Sequence, residues 1–233
     1  MTRHLTRLRP RLLLTVLTVL LVAAVSTTIL GRAGARTDRC GEIGERADER
    51  AAVVTGTGAD ILVIGDSYSV GAGVRARDSW PVRLPGRVRV DGFSGSGFTV
   101  GASACGDVSF ATRAALSLRR STDLVVVEGG LNDYDQSLAD LEAGFARLMR
   151  VLDGRQVLVV GPPPAPERPR ADVEAVDVAL ARLAAAHQVA YLSMIDLDLT
   201  YLDDDLHPDP AGHRAFGDRV AERVRDLLAL AQS

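Results

Sequence analysis

The sequence predicts an α/β domain built on a five-stranded parallel sheet that helices cover on both faces. Five short apolar runs of strand length alternate with segments whose apolar residues recur at helical spacing. Glycines or polar residues follow these runs, as expected where the carboxyl ends of parallel strands meet at one edge of a sheet. A chain of 233 residues with 47% hydrophobic and 24% charged residues has room for one such domain.

The predicted elements follow one another in a regular order. The strands are Asp60–Ile64, Val88–Phe93, Leu124–Glu128, Val157–Val160 and Val189–Ser193. The helices are one that follows the Gly71–Gly73 turn, then Ser137–Leu152, Asp172–His187 and Ala211–Leu230. Residues 36–58 are polar and predict a helical or irregular arm, which leaves residues 59–233 for the domain.

The first 35 residues predict a targeting or anchoring segment. The uncharged run Leu12–Leu30 follows four arginines, and as a helix it would reach about 28 Å, close to the bilayer core. The arginines place the N-terminus in the cytoplasm and the domain outside it. Ala33-Gly34-Ala35 also has the small-residue pattern of a cleavage site, so a signal peptide is the alternative to an anchor. Both predict an extracytoplasmic protein, secreted or anchored to the membrane.

Export would place Cys40 and Cys105 in an oxidising compartment. We therefore expect a disulfide between Cys40 and Cys105, with two free thiols as the alternative. Because only two cysteines are present, one pairing is possible.

The charge distribution argues against nucleic acid as a partner. Residues 1–36 contain six arginines and no acidic residue. The rest of the chain has a formal net charge near −9, because 27 basic residues less these six face 30 acidic residues. An acidic domain lacks the basic patch that nucleic acids require. We expect a monomer that contacts the membrane only through an uncleaved N-terminal segment.

A serine lies at the end of the first predicted strand, in the turn Gly65-Asp66-Ser67. Open α/β sheets bind their ligands at this edge, so Ser67 is a candidate nucleophile. The alternative is an ordinary strand-to-helix connection in which Asp66 or Ser67 caps the next helix.

Polar residues also follow the other strands. A glycine-rich loop, residues 94–97, follows the second strand, and Asn132 follows the third. After the fifth strand, Asp204 precedes His207 by three residues. This spacing lets the carboxylate accept the Nδ1–H of the imidazole, which leaves Nε2 free to take a proton from a hydroxyl group.

Together these residues provide the groups that acyl transfer needs. Ser67 would attack a carbonyl, His207 would act as general base and then general acid, and Asp204 would orient His207. The oxyanion would be held by the N–H of Ser67, the N–H of Gly95 and the side-chain amide of Asn132.

These blocks resemble those of the SGNH (GDSL) hydrolase superfamily, over about residues 59–230. The matching blocks are Gly65-Asp66-Ser67-Tyr68-Ser69, then Gly95, then Gly130-Leu131-Asn132-Asp133, then Asp204 with Leu206-His207-Pro208. The resemblance implies a flavodoxin-like sheet in a three-layer α/β/α sandwich, a serine esterase or lipase activity, and no metal or cofactor. In the family an asparagine usually precedes the second-block glycine, whereas Asp91-Gly92-Phe93 stands here, so Gly97 is an alternative to Gly95 as the oxyanion donor.

The function we expect is that of an exported serine hydrolase that cleaves carboxylic esters through an acyl-enzyme. The family's range includes small-molecule and glycan esters, and an acidic exported domain fits short acyl chains or O-acetyl groups on glycans. Two alternatives remain open at this point. One is an O-acyltransferase that uses the same triad, and the other is a non-catalytic, membrane-anchored carbohydrate-binding module.

Overall fold

The computed structural model describes residues 36–230, whose core is a five-stranded parallel sheet. The strands are β1 (Asp60–Gly65), β2 (Arg87–Gly92), β3 (Leu124–Glu128), β4 (Gln156–Val160) and β5 (Ala190–Leu192). Their order in the sheet is β2-β1-β3-β4-β5, and every neighbouring pair is parallel. The predicted fold class is therefore confirmed, with each strand end within one residue of its predicted position.

Helices follow most of the strands. Helix α1 covers residues 36–51, and the others are α2 (Ser67–Val70), α3 (Phe110–Ser117), α4 (Leu138–Val151), α5 (Arg170–Ala186) and α6 (Pro210–Leu230). The chain divides into two compact units after Glu42, and the sheet belongs to the second unit.

The alternation of side chains along each strand divides the core into two clusters. Ile61 and Val63 of β1 pack in the cluster that contains Phe216 and Val220 of α6. Leu62 and Ile64 point to the opposite face, where residues of α3, α4 and α5 cover them. Successive strand residues point to opposite faces, so a strand covered on both sides must be apolar throughout. This explains why the predicted strands are continuous apolar runs, and it produces the three α/β/α layers.

The prediction of an α-helix after the Gly71–Gly73 turn is wrong. Two short 3₁₀ helices, Ala76–Asp78 and Trp80–Arg83, occupy this stretch instead. Gly71 and Gly73 have φ angles of 82° and 79°, in the left-handed region, and Pro81 lacks the N–H that a helix interior needs. Trp80 is fully buried against Phe216, with ring centroids 5.4 Å apart.

Helix α3 was not predicted from the sequence. It is eight residues long, and its buried face includes Arg113 as well as Phe110 and Ala114. A buried arginine interrupts the apolar pattern by which short helices are recognised.

The N-terminal prediction, the Leu12–Leu30 segment, lies outside the described residues. Within residues 36–230, no helix has the length and apolar character needed to cross a membrane. Cys40 and Cys105 are both disulfide-bonded.

A buried carboxyl group lies at the end of β3. Glu128 is 1% exposed, and its Oε2 accepts a hydrogen bond of 2.6 Å from the hydroxyl of Ser69. Burial, with a smaller contribution from the nearby Asp66 carboxylate, raises the pKa of Glu128 well above its ordinary value of 4.5. Glu128 is thus held in its protonated form over a wider pH range than an exposed glutamate.

Gly144 of α4 provides the first test of this packing. A Cβ atom at Gly144 would lie 2.3 Å from the carbonyl oxygen of Phe98, so Gly144→Ala must displace backbone and should lower the free energy of unfolding by about 1–3 kcal/mol. Gly44 of α1 is the matched control, because nothing lies within 4 Å of its Cβ position. Gly44→Ala should stabilise by up to ~1 kcal/mol through helix propensity. Urea unfolding of both variants measures the two changes in the free energy of unfolding. Equal changes would contradict the close approach of Gly144 to the carbonyl oxygen of Phe98.

Glu128→Gln tests the buried carboxyl. Since the folded-state pKa is raised, the folded protein binds the proton more tightly, and stability falls as pH rises above the pKa of the unfolded chain towards that of the folded one. The variant lacks this loss, so its stability relative to the wild type should increase from pH 4.5 to pH 8. Urea unfolding across this range measures it, with the exposed Glu45→Gln as control. If the free energy of unfolding varied with pH in the same way in the wild type and in Glu128→Gln, the raised pKa of Glu128 would be contradicted.

Candidate active site

The turn after β1 presents Ser67 at the carboxyl edge of the sheet. Ser67 is the first residue of α2, and Asp66 caps this helix by accepting the N–H of Tyr68 at 2.9 Å. Asp66 thus has the capping role that the sequence analysis gave as an alternative, and this cap fixes the start of the helix that carries Ser67. A Cβ atom at Gly65 would lie 2.0 Å from Oγ of Ser69, so only glycine fits before the turn. Burial raises the pKa of Asp66 to about 6, against the lowering effect of the Tyr68 N–H.

Asn132 joins the turn after β1 to the loop after β2. Its Nδ2 donates to Oδ2 of Asp66 at 3.1 Å and to the carbonyl oxygen of Ser96 at 3.0 Å. Both amide hydrogens are therefore used, and the ends of three adjacent strands are held together by one side chain.

Asp133 fixes the glycine-rich loop against the same edge. Its two carboxylate oxygens accept the N–H groups of Phe98 and Thr99, at 3.0 and 2.9 Å. A Cβ atom at Gly97 would lie 2.4 Å from Oδ2 of Asp133, whereas nothing lies within 4 Å of the corresponding position at Gly95. Gly97 is thus packed into the site, while Gly95 is at an open bend with a φ of 80°. Burial raises the pKa of Asp133 to about 6.

Arg113 of α3 lies beneath the loops and was missed by the sequence reasoning. It is 7% exposed, and its Nη2 donates to the carbonyl oxygen of Gly65 at 2.8 Å and to Oγ of Ser96 at 3.0 Å. Its Nη1 forms an ion pair of 2.5 Å with Asp91 at the end of β2. The only local signal for this role was the arginine in an otherwise small and apolar segment.

Asp204 and His207 form a pair within one turn. Nδ1 of His207 lies 2.6 Å from Oδ2 of Asp204, and Oδ1 of Asp204 accepts the backbone N–H groups of Leu206 and His207 at 3.0 and 2.9 Å. Partial burial alone would raise the pKa of Asp204, but the hydrogen bonds from His207 and Leu206 lower it to about 2. Of the three consecutive aspartates, Asp204 is the one paired with the ring. Asp205 has a φ of 54°, and its carbonyl oxygen accepts the N–H of Glu167.

Tyr68 connects the serine turn to the histidine loop. Its Oη donates to the carbonyl oxygen of Leu206 at 2.7 Å, and its ring centroid lies 6.4 Å from that of His207. These contacts bring Ser67 and His207 to the same edge of the sheet, although no hydrogen bond joins their side chains in the described part of the chain. The carbonyl oxygen of Pro164, in the loop after β4, accepts a hydrogen bond from Oη of Tyr201 at 3.2 Å.

The other two histidines of the domain pack against aromatic side chains. His213 is completely buried in α6, where its Nδ1 accepts the N–H of Trp80 at 3.4 Å. Burial lowers the pKa of His213 to about 4, so this ring is neutral at physiological pH. His187 follows α5 and packs against Phe145, with ring centroids 5.6 Å apart.

Comparisons with solved structures agree with this fold. The carbohydrate acetylesterase Est24 from Sinorhizobium meliloti superposes with a TM-score of 0.64 at 18% identity, over 73% of this chain and 100% of that one. The aryl esterase of M. smegmatis superposes with a TM-score of 0.58 at 22% identity, over 73% of this chain and 100% of that one. Among curated proteins, none matches the sequence.

A family model matches most of the domain. The GDSL-like lipase/acylhydrolase model aligns with residues 63–215, a range that includes every residue of the predicted triad and oxyanion hole. Since this match covers more than half of the chain, the protein belongs to the GDSL-like lipase/acylhydrolase family and is a carboxylic ester hydrolase.

Proposed function

We propose that this protein is an exported serine esterase in which Ser67, His207 and Asp204 form the catalytic triad. The observation that carries the proposal is the Asp204–His207 pair, held at 2.6 Å on a loop that Tyr68 anchors to the Ser67 turn. We expect the remaining contact, a hydrogen bond from Ser67 to Nε2 of His207, to form in the substrate complex, since catalytic hydrogen bonds often tighten when substrate binds.

The chemistry follows from this arrangement. His207 accepts the proton of the Ser67 hydroxyl as its oxygen attacks the ester carbonyl, and then gives that proton to the departing alcohol. Asp204 accepts Nδ1–H, fixes the tautomer and stabilises the imidazolium. Water then attacks the acyl-enzyme by the same route, which releases the acid and restores Ser67.

The negative charge on the carbonyl oxygen needs donors at the same edge. The N–H of Ser67 is at the start of α2, and the amide of Asn132 is fixed by Asp66. Because both amide hydrogens of Asn132 are used, the oxyanion would replace the carbonyl oxygen of Ser96 as an acceptor. The third donor is the N–H of Gly95 or Gly97, and the packing of Gly97 against Asp133 favours Gly97.

Short acyl esters and O-acetyl groups on glycans are the substrates we propose. The likeness to Est24, which is named a carbohydrate acetylesterase, supports this substrate class. The disulfide-bonded state of both cysteines supports an extracytoplasmic location, and the charge pattern of the first 35 residues supports export by an anchor or a signal peptide.

Ser67→Ala tests the proposed function. The purified full-length protein should hydrolyse p-nitrophenyl acetate and short-chain homologues, and the variant should lose at least ~1000-fold in kcat because it lacks the nucleophile. Ser121→Ala is the matched control, since this exposed serine precedes β3 at the opposite edge of the sheet. Undiminished turnover in Ser67→Ala, or none in the folded wild type, would contradict the assignment.

The three adjacent aspartates allow an internal test of the Asp204 role. Asp204→Asn should reduce kcat by about 10³–10⁴-fold, because an amide favours the wrong tautomer of His207. Asp203→Asn and Asp205→Asn should have small effects, and asparagine tolerates the left-handed backbone at Asp205. Hydrolysis of p-nitrophenyl acetate by the three variants decides the question. A larger loss at Asp203 or Asp205 would show that the orienting carboxylate is not Asp204.

A further inference from the structure

A buried arginine outside the proposed triad has an unsatisfied side chain. Arg50 of α1 is 2% exposed, and its Nη1 donates to the carbonyl oxygen of Val53 at 3.2 Å. Its Nε and Nη2 are buried and have no hydrogen-bond partner among residues 36–230. Burial lowers the pKa of Arg50 to about 10, so the guanidinium is still charged at neutral pH. An unpartnered buried charge is costly, and a native structure that retains one calls for an explanation.

A pocket of about 550 Å³ lies against this side chain. One wall is the face of α1 that carries Arg46 and Arg50, which are four residues apart and therefore neighbours on the helix. The other wall is formed by the Gly71–Val74 turn and Ser94. The volume is sufficient for a monosaccharide-sized group.

The charge of the pocket is opposite to that of the domain. Arg46 and Arg50 line it together with Glu49, the acidic residue among the described lining residues, which leaves a net positive charge. The chain after residue 36 is otherwise acidic, with 30 acidic residues in the whole sequence. The chemistry of the unpartnered edge is also specific, because Nε–H and Nη2–H form the planar fork that matches two oxygens of a carboxylate or phosphate. Since both nitrogens are buried in the structure, the Arg50 side chain must turn toward the pocket to bind such a group.

The pocket also adjoins the proposed catalytic centre. Gly71 caps the end of α2, the helix that begins with Ser67, so the two residues are about 6 Å apart along the helix axis. Ser94 directly precedes Gly95 in the glycine-rich loop. Two of the segments that line the pocket thus lead directly into the segments that carry Ser67 and Gly95.

We propose that this pocket binds an oxyanion, a carboxylate or a phosphate, through Nε and Nη2 of Arg50. The anion has two sources: a free ion that acts as an effector, or an anionic substituent on the ester substrate, such as the carboxylate of an O-acetylated uronic acid. The second source rests on the proposed esterase function, whereas anion binding itself does not.

Anion binding is tested on the full-length protein by thermal unfolding in phosphate, against sodium chloride of equal ionic strength. The midpoint of the wild type should rise with phosphate concentration, and Arg50→Lys should lose most of this rise because a point charge cannot replace the fork. Arg182→Lys, at an exposed position on α5, is the matched control for general salt effects. An equal rise in all three proteins would overturn the proposal.

The source of the anion is tested with two O-acetylated substrates that differ in one carboxylate, methyl glucuronide and methyl glucoside. If the substrate carries the anion, the wild type should prefer the acetylated glucuronide in kcat/KM, and Arg50→Lys should reduce this preference ~10-fold or more. Turnover of p-nitrophenyl acetate should be unchanged. Phosphate binding without any such preference identifies a free ion as the ligand. If the protein binds phosphate but hydrolyses no ester, the proposal of an anion-binding pocket stands and the proposed esterase function is rejected.

A structural experiment covers the case in which Arg50→Lys does not fold. Crystals of the wild type soaked in phosphate should show a tetrahedral group within hydrogen-bond distance of Nε and Nη2 of Arg50. Only water at this edge, at phosphate concentrations that saturate the thermal shift, would overturn the proposal.

Discussion

The two hydrogen bonds of the Asn132 amide are the constraint on which the geometry of the site depends. They join Asp66, at the end of β1, to Ser96, in the loop after β2, from a residue that follows β3. Three strand ends are thus fixed relative to one another by groups that could otherwise move independently. If the oxyanion takes the place of the Ser96 carbonyl oxygen, as proposed, the hydrogen bond to Asp66 still holds the amide in position, which limits reorganisation during the reaction.

The same edge of the sheet concentrates buried acidic groups, which are hydrogen-bonded locally. Asp66, Glu128 and Asp133 are almost completely buried near Arg113, whose guanidinium hydrogen-bonds to the Gly65 and Ser96 positions and pairs with Asp91. Burial raises the pKa of each of the three acids, and backbone N–H groups oppose the shift in all three. Arg113 opposes it at Asp66 and Glu128. Polar groups at the ends of apolar strands therefore act as a connected network, whose members are sensitive to removal of any one partner.

Local patterns in the sequence were sufficient for the strands and for the residues at their ends. An apolar run that ends in Gly65-Asp66-Ser67 predicts a strand and its following turn from a few neighbouring residues. The three-residue spacing of Asp204 and His207 likewise predicts their pairing from local sequence. The roles of Arg113 and Tyr68 could not be predicted, since their partners Gly65 and Leu206 are 48 and 138 residues away in the chain. The distinction between Gly95 and Gly97 likewise depends on a contact with Asp133, a residue of another loop.

The partners of the hydrogen bond between Tyr68 and Leu206 are synthesised at different times. They are separated by 138 residues, so a ribosome at 5–20 residues per second needs roughly 7 to 28 s to make the second after the first. During that interval the chain carries its serine without the histidine. If the chain is exported during synthesis and uses the triad, as proposed, its nucleophile and base would come together only beyond the membrane, away from the esters of the cell's own interior.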